Sequence, residues 1–236
     1  MNSKIREAIC LDTQPVAVIK TDTPLEGALQ FQEGAANGCM IGMLTAASKG
    51  KTAVFTEHTT GCHGARAGLG FAPMNPDFSG FLSTGTPEHP GLCYKKTDTL
   101  ARAYAESMPK TTPAPYLVFK PLNELHQDDV PLSVVFLVNP DQLLALITLA
   151  HYDRTGEQVK ALFGSGCAQS ILFPLCDSEQ GSDQCSIGLI DPSARHCVEK
   201  DILSFSIPYH RFLEMEEAVD GSFLNTPTWA QLKQRI

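Results

Sequence analysis

The sequence has no Cys-x-x-Cys pair, although it carries 8 cysteines in 236 residues. That absence excludes a zinc ribbon, a thioredoxin-type motif and a ferredoxin run, all of which need closely spaced thiols. No Walker A sequence is present, and the glycines from Gly64 to Gly70 have the wrong spacing for a dinucleotide fingerprint. Positive charge is scarce: 18 Lys and Arg stand against 26 Asp and Glu, and the formal net charge of −8 argues against a nucleic-acid partner. Long apolar runs are missing too. The nearest, residues 132–150, is broken by Asn139, Pro140, Asp141 and Gln142, short of the ~20 residues a spanning helix needs. The first residues mix both charge signs without an apolar signal region, so the expectation is a soluble, cytoplasmic protein with no membrane partner.

What is present reads as an ordinary globular chain, with 43% apolar and 19% charged residues. Its length suffices to bury a core without disulfides, and no linker divides it, so one domain over 1–236 is expected. Residues 16–20, 52–56, 116–119, 133–138, 187–190 and 202–207 read as strands. Between them, helices are expected over 3–11, 37–48 with a cap at Asn37, 65–70, 97–107, 140–151, 168–175 and 208–219. A polar, hairpin-like stretch around Gln127, Asp128 and Asp129 separates two of the strands. Segment 71–93, with four prolines and three glycines, reads as a long irregular loop of the kind that serves as a lid or binding loop. The interleaving predicts an α+β (mixed α/β) fold, one mixed sheet packed with helices.

The cysteines divide by context. Fewer than one Gly-Cys pair is expected by chance from 18 glycines and 8 cysteines, yet there are three: Gly38-Cys39, Gly61-Cys62 and Gly166-Cys167. Each follows turn-forming residues and precedes a helix-compatible run. A thiol at a helix start feels the unpaired amides, which favour thiolate, and the glycine lets the backbone approach whatever the sulfur binds. That is the environment of a metal ligand or a nucleophile. Cys10 and Cys176 sit in apolar runs and read as core fillers. Cys93, Cys185 and Cys197 are ambiguous.

Several short elements, in order, resemble the family catalogued as domain of unknown function 169. They are Pro15-Val16-Ala17-Val18, Cys39, Cys62-His63-Gly64-Ala65 running into Gly68-Leu69-Gly70, and Asn139-Pro140-Asp141-Gln142. Cys167-Ala168 ahead of Pro174, Ser186-Ile187-Gly188 with Ala194-Arg195, and Ile207-Pro208 complete the series. The resemblance implies a role for Cys39, Cys62 and Cys167, the same three cysteines. It also implies a fourth cysteine directly after the Ser-x-Gly element, where this chain has Leu189.

Three readings follow. In the first, Cys39, Cys62 and Cys167 hold a metal, most simply a [4Fe–4S] cluster with an open iron, for redox or lyase-like chemistry on a small molecule. Cys93, Cys185, Cys197 or a histidine could then supply a fourth ligand. In the second, Cys62 is a catalytic nucleophile with His63, or His58, as base. In the third, the glycine-rich turns at 61–70 and 164–168 cradle a small anion, with Arg66 and Arg195 as its substrate-binding partners and no catalysis. His151 and His210 are expected in or near helices, hydrogen-bonded or facing solvent, and Trp229 as a packing anchor for the C-terminal region. A homo-oligomer is compatible with all three readings.

Overall fold

The computed structural model describes residues 1–34, 38–59 and 62–236; Asn37, Thr60 and Gly61 of the expected turns lie outside them. In chain order the elements begin with α1 (Lys4–Ala8), capped by Ser3, and strand β1 (Val16–Thr21). They continue with α2 (Met40–Ser48), β2 (Ala53–Phe55), α3 (His63–Gly68), α4 (Phe78–Leu82) and α5 (Asp98–Ser107), whose cap is the Thr97 hydroxyl. Then come β3 (Tyr116–Pro121), β4 (Pro131–Val138) and α6 (Pro140–Ala150), which opens with proline in its first turn and a reciprocal capping box between Asn139 and Gln142. After the two-residue β5 (Val159–Lys160), a π-helical turn (Ala168–Leu172) runs directly into α7 (Phe173–Glu179). Strand β6 (Cys185–Gly188), a 3₁₀ turn (Pro192–Cys197), β7 (Leu203–Pro208), α8 (Tyr209–Ala218) and α9 (Pro227–Leu232) follow.

All seven strands join one sheet in the order β2-β3-β1-β4-β7-β6-β5, antiparallel except for the β5–β6 pair. The fold is therefore α+β with a mixed sheet, as expected. The hairpin anticipated around Asp128 is not one: β3 and β4 flank β1 on opposite sides, and the polar stretch carries the chain across it.

The two-residue period of the strands sorts the core. Val16, Val18, Leu117, Phe119, Val135 and Leu137 face α2, α3, the π turn and α7, whereas Ala17, Val134, Phe136, Phe205 and Ile207 face α1, α6, α8 and α9. The first face carries Cys39, Cys62, Cys167 and Cys197. The second is closed by Trp229, fully buried with its indole N–H donating to the Ala8 carbonyl at 2.8 Å, which bears out its role as an anchor. Cys176 is buried as expected. Cys10 is not: it is exposed in the turn after α1, at a φ of 52°.

Segment 71–93 is less irregular than its composition suggests. It contains α4 and folds back on itself, with the amides of Leu92 and Cys93 donating to the Phe81 and Ser83 carbonyls at 2.8 Å each. Gly91 makes this return possible, since a Cβ there would fall 2.1 Å from the Ser83 oxygen.

Candidate functional site

The three Gly-Cys cysteines all precede helical turns. Cys39 is the N-cap of α2 and Cys62 the N-cap of α3, both with extended backbones, and Cys167 leads into the π turn. Turns of that kind are rare and recur at functional sites. The chain folds this way locally because Gly166 packs where a side chain could not: its Cβ would lie 2.5 Å from the Ala194 methyl. Gly68, in the same manner, lets α3 lie directly on Leu172 of the π turn.

Cys62 and Cys167 are hydrogen-bonded thiols with opposite electrostatics. Cys62 receives the Cys167 hydrogen and those of the Ala65 and Gly64 amides, and with His63 nearby these hold its pKa at about 6 despite burial. Cys167 is pushed well above its ordinary value by donating to Cys62, by burial, and by the Cys62 and Cys39 charges, while Ser165, with its oxygen 3.2 Å from the sulfur, acts the other way. A second pair stands beside the first. Burial, chiefly, and the nearby Cys39 thiol raise the pKa of Cys197 to about 11. The imidazole Nε2 of His196 lies 3.4 Å from the Cys197 sulfur.

These groups meet at a cleft of about 580 Å³. Cys39 and Cys62 form one wall, flanked by the backbone of Gly38 and Gly64 and by the exposed His63. Segment 71–93 supplies the facing wall through Asn75, Asp77, Phe78 and Phe81, the two rings stacked at 6.2 Å, so this loop does line a pocket. Ser165, Ser193 and His196 complete it. His58 lies elsewhere, on a separate hollow of about 800 Å³ lined by Phe31, Phe71 and Tyr116, with the Glu57 carboxylate 3.6 Å from its ring.

The two arginines expected to bind an anion stand differently. Arg195 donates to four backbone carbonyls, those of Leu189, Glu199, Lys200 and Ile202, so its guanidinium pins the chain from 189 to 202. Arg66 sits half-buried on α3, its Nε buried without a hydrogen-bond partner, and is not among the residues lining the cleft.

Sequence reasoning missed the residues that hold the site together. Asp191 accepts from the Gly166 amide at 2.9 Å and the Ser193 hydroxyl at 2.7 Å, tying the Cys167 turn to the turn that ends at Cys197. Gln169 donates to the Leu162 carbonyl at 3.0 Å and accepts from the Ile190 amide at 3.1 Å. The signal for Asp191 was legible: an Asp before Pro-Ser is the cap of a helical turn with proline in first position. Leu189 is buried with a φ of 60°, its side chain turned toward Gly166.

Residues 4–218 match the profile of the domain of unknown function 169 family, described as uncharacterised ArCR. The chain belongs to that family. No curated protein and no solved structure matches it. No helix among the described residues is long and apolar enough to cross a membrane.

Among the described residues no group of three or more His, Cys, Asp or Glu side chains stands ready to enclose a metal ion. The chemistry of the donor set nonetheless fits an iron–sulfur or related thiolate-bound group: soft sulfur donors, one of them with a lowered pKa, beside unobstructed backbone at Gly64 and an open cleft.

Proposed function

We propose that this protein is a metal–thiolate, most simply iron–sulfur, protein that acts on a small molecule, with Cys39, Cys62 and Cys167 as protein ligands. The observation that supports this reading is the meeting of three cysteines far apart in sequence. Cys62 and Cys167 share a hydrogen bond, the field of Cys39 reaches Cys167, and Cys39 and Cys62 open on one cleft. A bound cluster with one iron free of cysteine would supply Lewis acidity or an electron to a substrate.

The chain's own residues have definable tasks around it. The amides of Gly64 and Ala65 stabilise negative charge on the Cys62 sulfur, which would otherwise be disfavoured by burial. Ser165 offers a hydroxyl 3.2 Å from the Cys167 sulfur. Phe78 and Phe81 give the cleft an apolar wall that excludes water from one side of a bound molecule, and His63 and His196 place imidazoles at its edge to accept or deliver a proton. The test is anaerobic purification followed by iron and sulfide analysis and electron paramagnetic resonance. Iron and sulfide in comparable amounts, lost in C39S, C62S and C167S, is the expected result, and a colourless, iron-free protein would end the reading.

One observation favours a second reading. The Cys62 thiol, held near pKa 6 and lining the cleft beside His63, has the properties of a nucleophile in the metal-free chain. Retention of full activity by C62S would dispose of it.

A further inference from the structure

We propose that the cleft between Cys62 and segment 71–93 selects small aromatic molecules that carry a positive charge, with Phe78 and Phe81 taking the ring and the Asp77 carboxylate taking the cation. This deepens the metal–thiolate reading by naming the class of molecule held at the site, and rests on that reading only for the choice of this cleft.

Charge decides the sign of the ligand. Among the described residues no lysine or arginine lines the cleft, and Asp77 is the one acid that does. Residues 35–37 and 60–61, outside the described ones, carry no charge either, being Ala35, Ala36, Asn37, Thr60 and Gly61. The Arg195 guanidinium is taken up by four backbone carbonyls and Arg66 does not line the cleft, so neither offsets Asp77. The carboxylate itself is unengaged. Asp77 is the N-cap residue of α4, yet its side chain accepts from none of the helix amides, and its own backbone amide donates to the Asn75 side chain at 2.9 Å. An ionised cysteine on the facing wall would add charge of the same sign. A small anion would therefore lose water there without gaining a counter-charge, whereas a cation finds a free carboxylate beside two aromatic rings.

Shape decides the rest of the ligand. Phe78 and Phe81 stand three apart on α4, on one face, with 21° between their ring planes. Phe81 is 49% exposed, so aromatic surface remains uncovered at the cleft. A flat ring laid against it buries apolar area while losing few rotors. The wall is set before anything binds: the Leu92 amide donates to the Phe81 carbonyl at 2.8 Å, and the Ser83 hydroxyl to the Ser79 carbonyl at 2.7 Å. A volume of about 580 Å³ suits a molecule of drug size or smaller. The separate hollow at His58 also combines acids, Glu33 and Glu57, with aromatic rings, and so supplies the control.

The test titrates the full-length chain at low salt with phenethylamine, with hydrocinnamate as its anionic counterpart, and with cyclohexylethylamine as a cation lacking the aromatic ring. Ligand-observed magnetic resonance gives the affinities, and protection of Cys39 and Cys62 from iodoacetamide locates the probe. Phenethylamine is expected to bind about fivefold more tightly than hydrocinnamate, the upper end for one exposed ion pair, and more tightly than cyclohexylethylamine, and to protect both thiols. Asp77→Asn should abolish the preference for the cation, Phe81→Ala should weaken both aromatic probes, and Glu57→Gln should change neither, with circular dichroism confirming that each variant is folded. Hydrocinnamate binding as tightly as phenethylamine, a preference that survives D77N, or thiols left unprotected would each overturn the proposal. A preference lost in E57Q instead would overturn it in favour of the other hollow. Iron and sulfide are measured on the same preparations: an iron-loaded protein without the cation preference overturns this proposal alone, whereas the preference in a chain that takes up no iron ends the metal–thiolate reading and leaves this one standing.

Discussion

The Cys167 thiol donates its hydrogen to the Cys62 sulfur, and the exchange leaves one cysteine easy to ionise and its partner hard to ionise. In the reduced, metal-free protein the alkylation rate of Cys62 should therefore rise to half its maximum near pH 6, far below the ordinary thiol value of 9.0. Substituting Cys167→Ala removes the largest cause of the lowering, so the midpoint should move to higher pH. Mass-spectrometric quantitation of Cys62 alkylation against pH reads both curves, and an unmoved midpoint in C167A would show that the amides alone set the acidity.

The same pair makes folding stability depend on pH. Cys62 has a folded value below its unfolded one, so between about 6 and 9.0 the unfolded chain binds more protons and stability rises with pH. As pH falls through 6 that contribution is lost. Cys167 has the opposite sign, and weakens the fold only above its ordinary value of 9.0. Urea midpoints of the reduced, metal-free wild type should thus increase from pH 6 to pH 8.5, and C62A should flatten the rise.

Arg195 tests whether its guanidinium serves the fold or a ligand. Because it donates to four carbonyls, Arg195→Ala should cost roughly 1.5–3 kcal/mol, the range for hydrogen bonds to a charged group. Arg195→Lys should recover only part of this, since an ammonium cannot reproduce the planar fork. Denaturant unfolding measures the cost. A variant as stable as wild type would return Arg195 to the list of anion contacts.

The parts of this architecture that were legible in sequence are those governed by local rules. The strands beginning at Val16 and Tyr116 and ending at Val138 follow from apolar period and from flanking prolines, and the helix after Asn139 follows from its cap. The clustering at helix starts of Cys39, Cys62 and Cys167 was readable from glycine–cysteine neighbours alone. Cys197 was legible only as one of several candidate fourth ligands, because the nearness of Cys39, 158 positions away, is set by the fold and not by local sequence. Arg195 misled for a related reason. A charged side chain near glycines looks like an anion contact, whereas the carbonyls that take it up are exposed only once the 189–202 segment has folded. Helix α4 is hard to read because Ser79 and Gly80 dilute its apolar period, and it is held by the returning segment of the same loop, whose Leu92 and Cys93 amides bond the Phe81 and Ser83 carbonyls.

The aromatic wall of the cleft can be removed without harming the fold. Phe81 is 49% exposed, so Phe81→Ala should change stability by no more than about 0.5 kcal/mol, as surface substitutions do. Small molecules that raise the melting temperature of the wild type by binding the cleft should raise that of F81A less. Equal shifts in both proteins would place the binding surface away from segment 71–93.

Gly166 offers the sharpest separation of packing from chemistry, because its substitution leaves every thiol intact. A methyl added there lies 2.5 Å from the Ala194 methyl, closer than carbon atoms can approach, so Gly166→Ala must push apart the turns that carry Cys167 and Cys197. Overpacking of this kind costs about 1–3 kcal/mol. The displacement also acts on the hydrogen bond from the Gly166 amide to Asp191, so the effect should reach the centre as weakened iron retention. Ala194→Gly in the same chain removes the opposing methyl and should restore both stability and iron content, giving a coupling energy in a double-mutant cycle. If the second substitution rescues stability but not iron, the glycine is required next to Cys167 for close backbone approach as well as for packing.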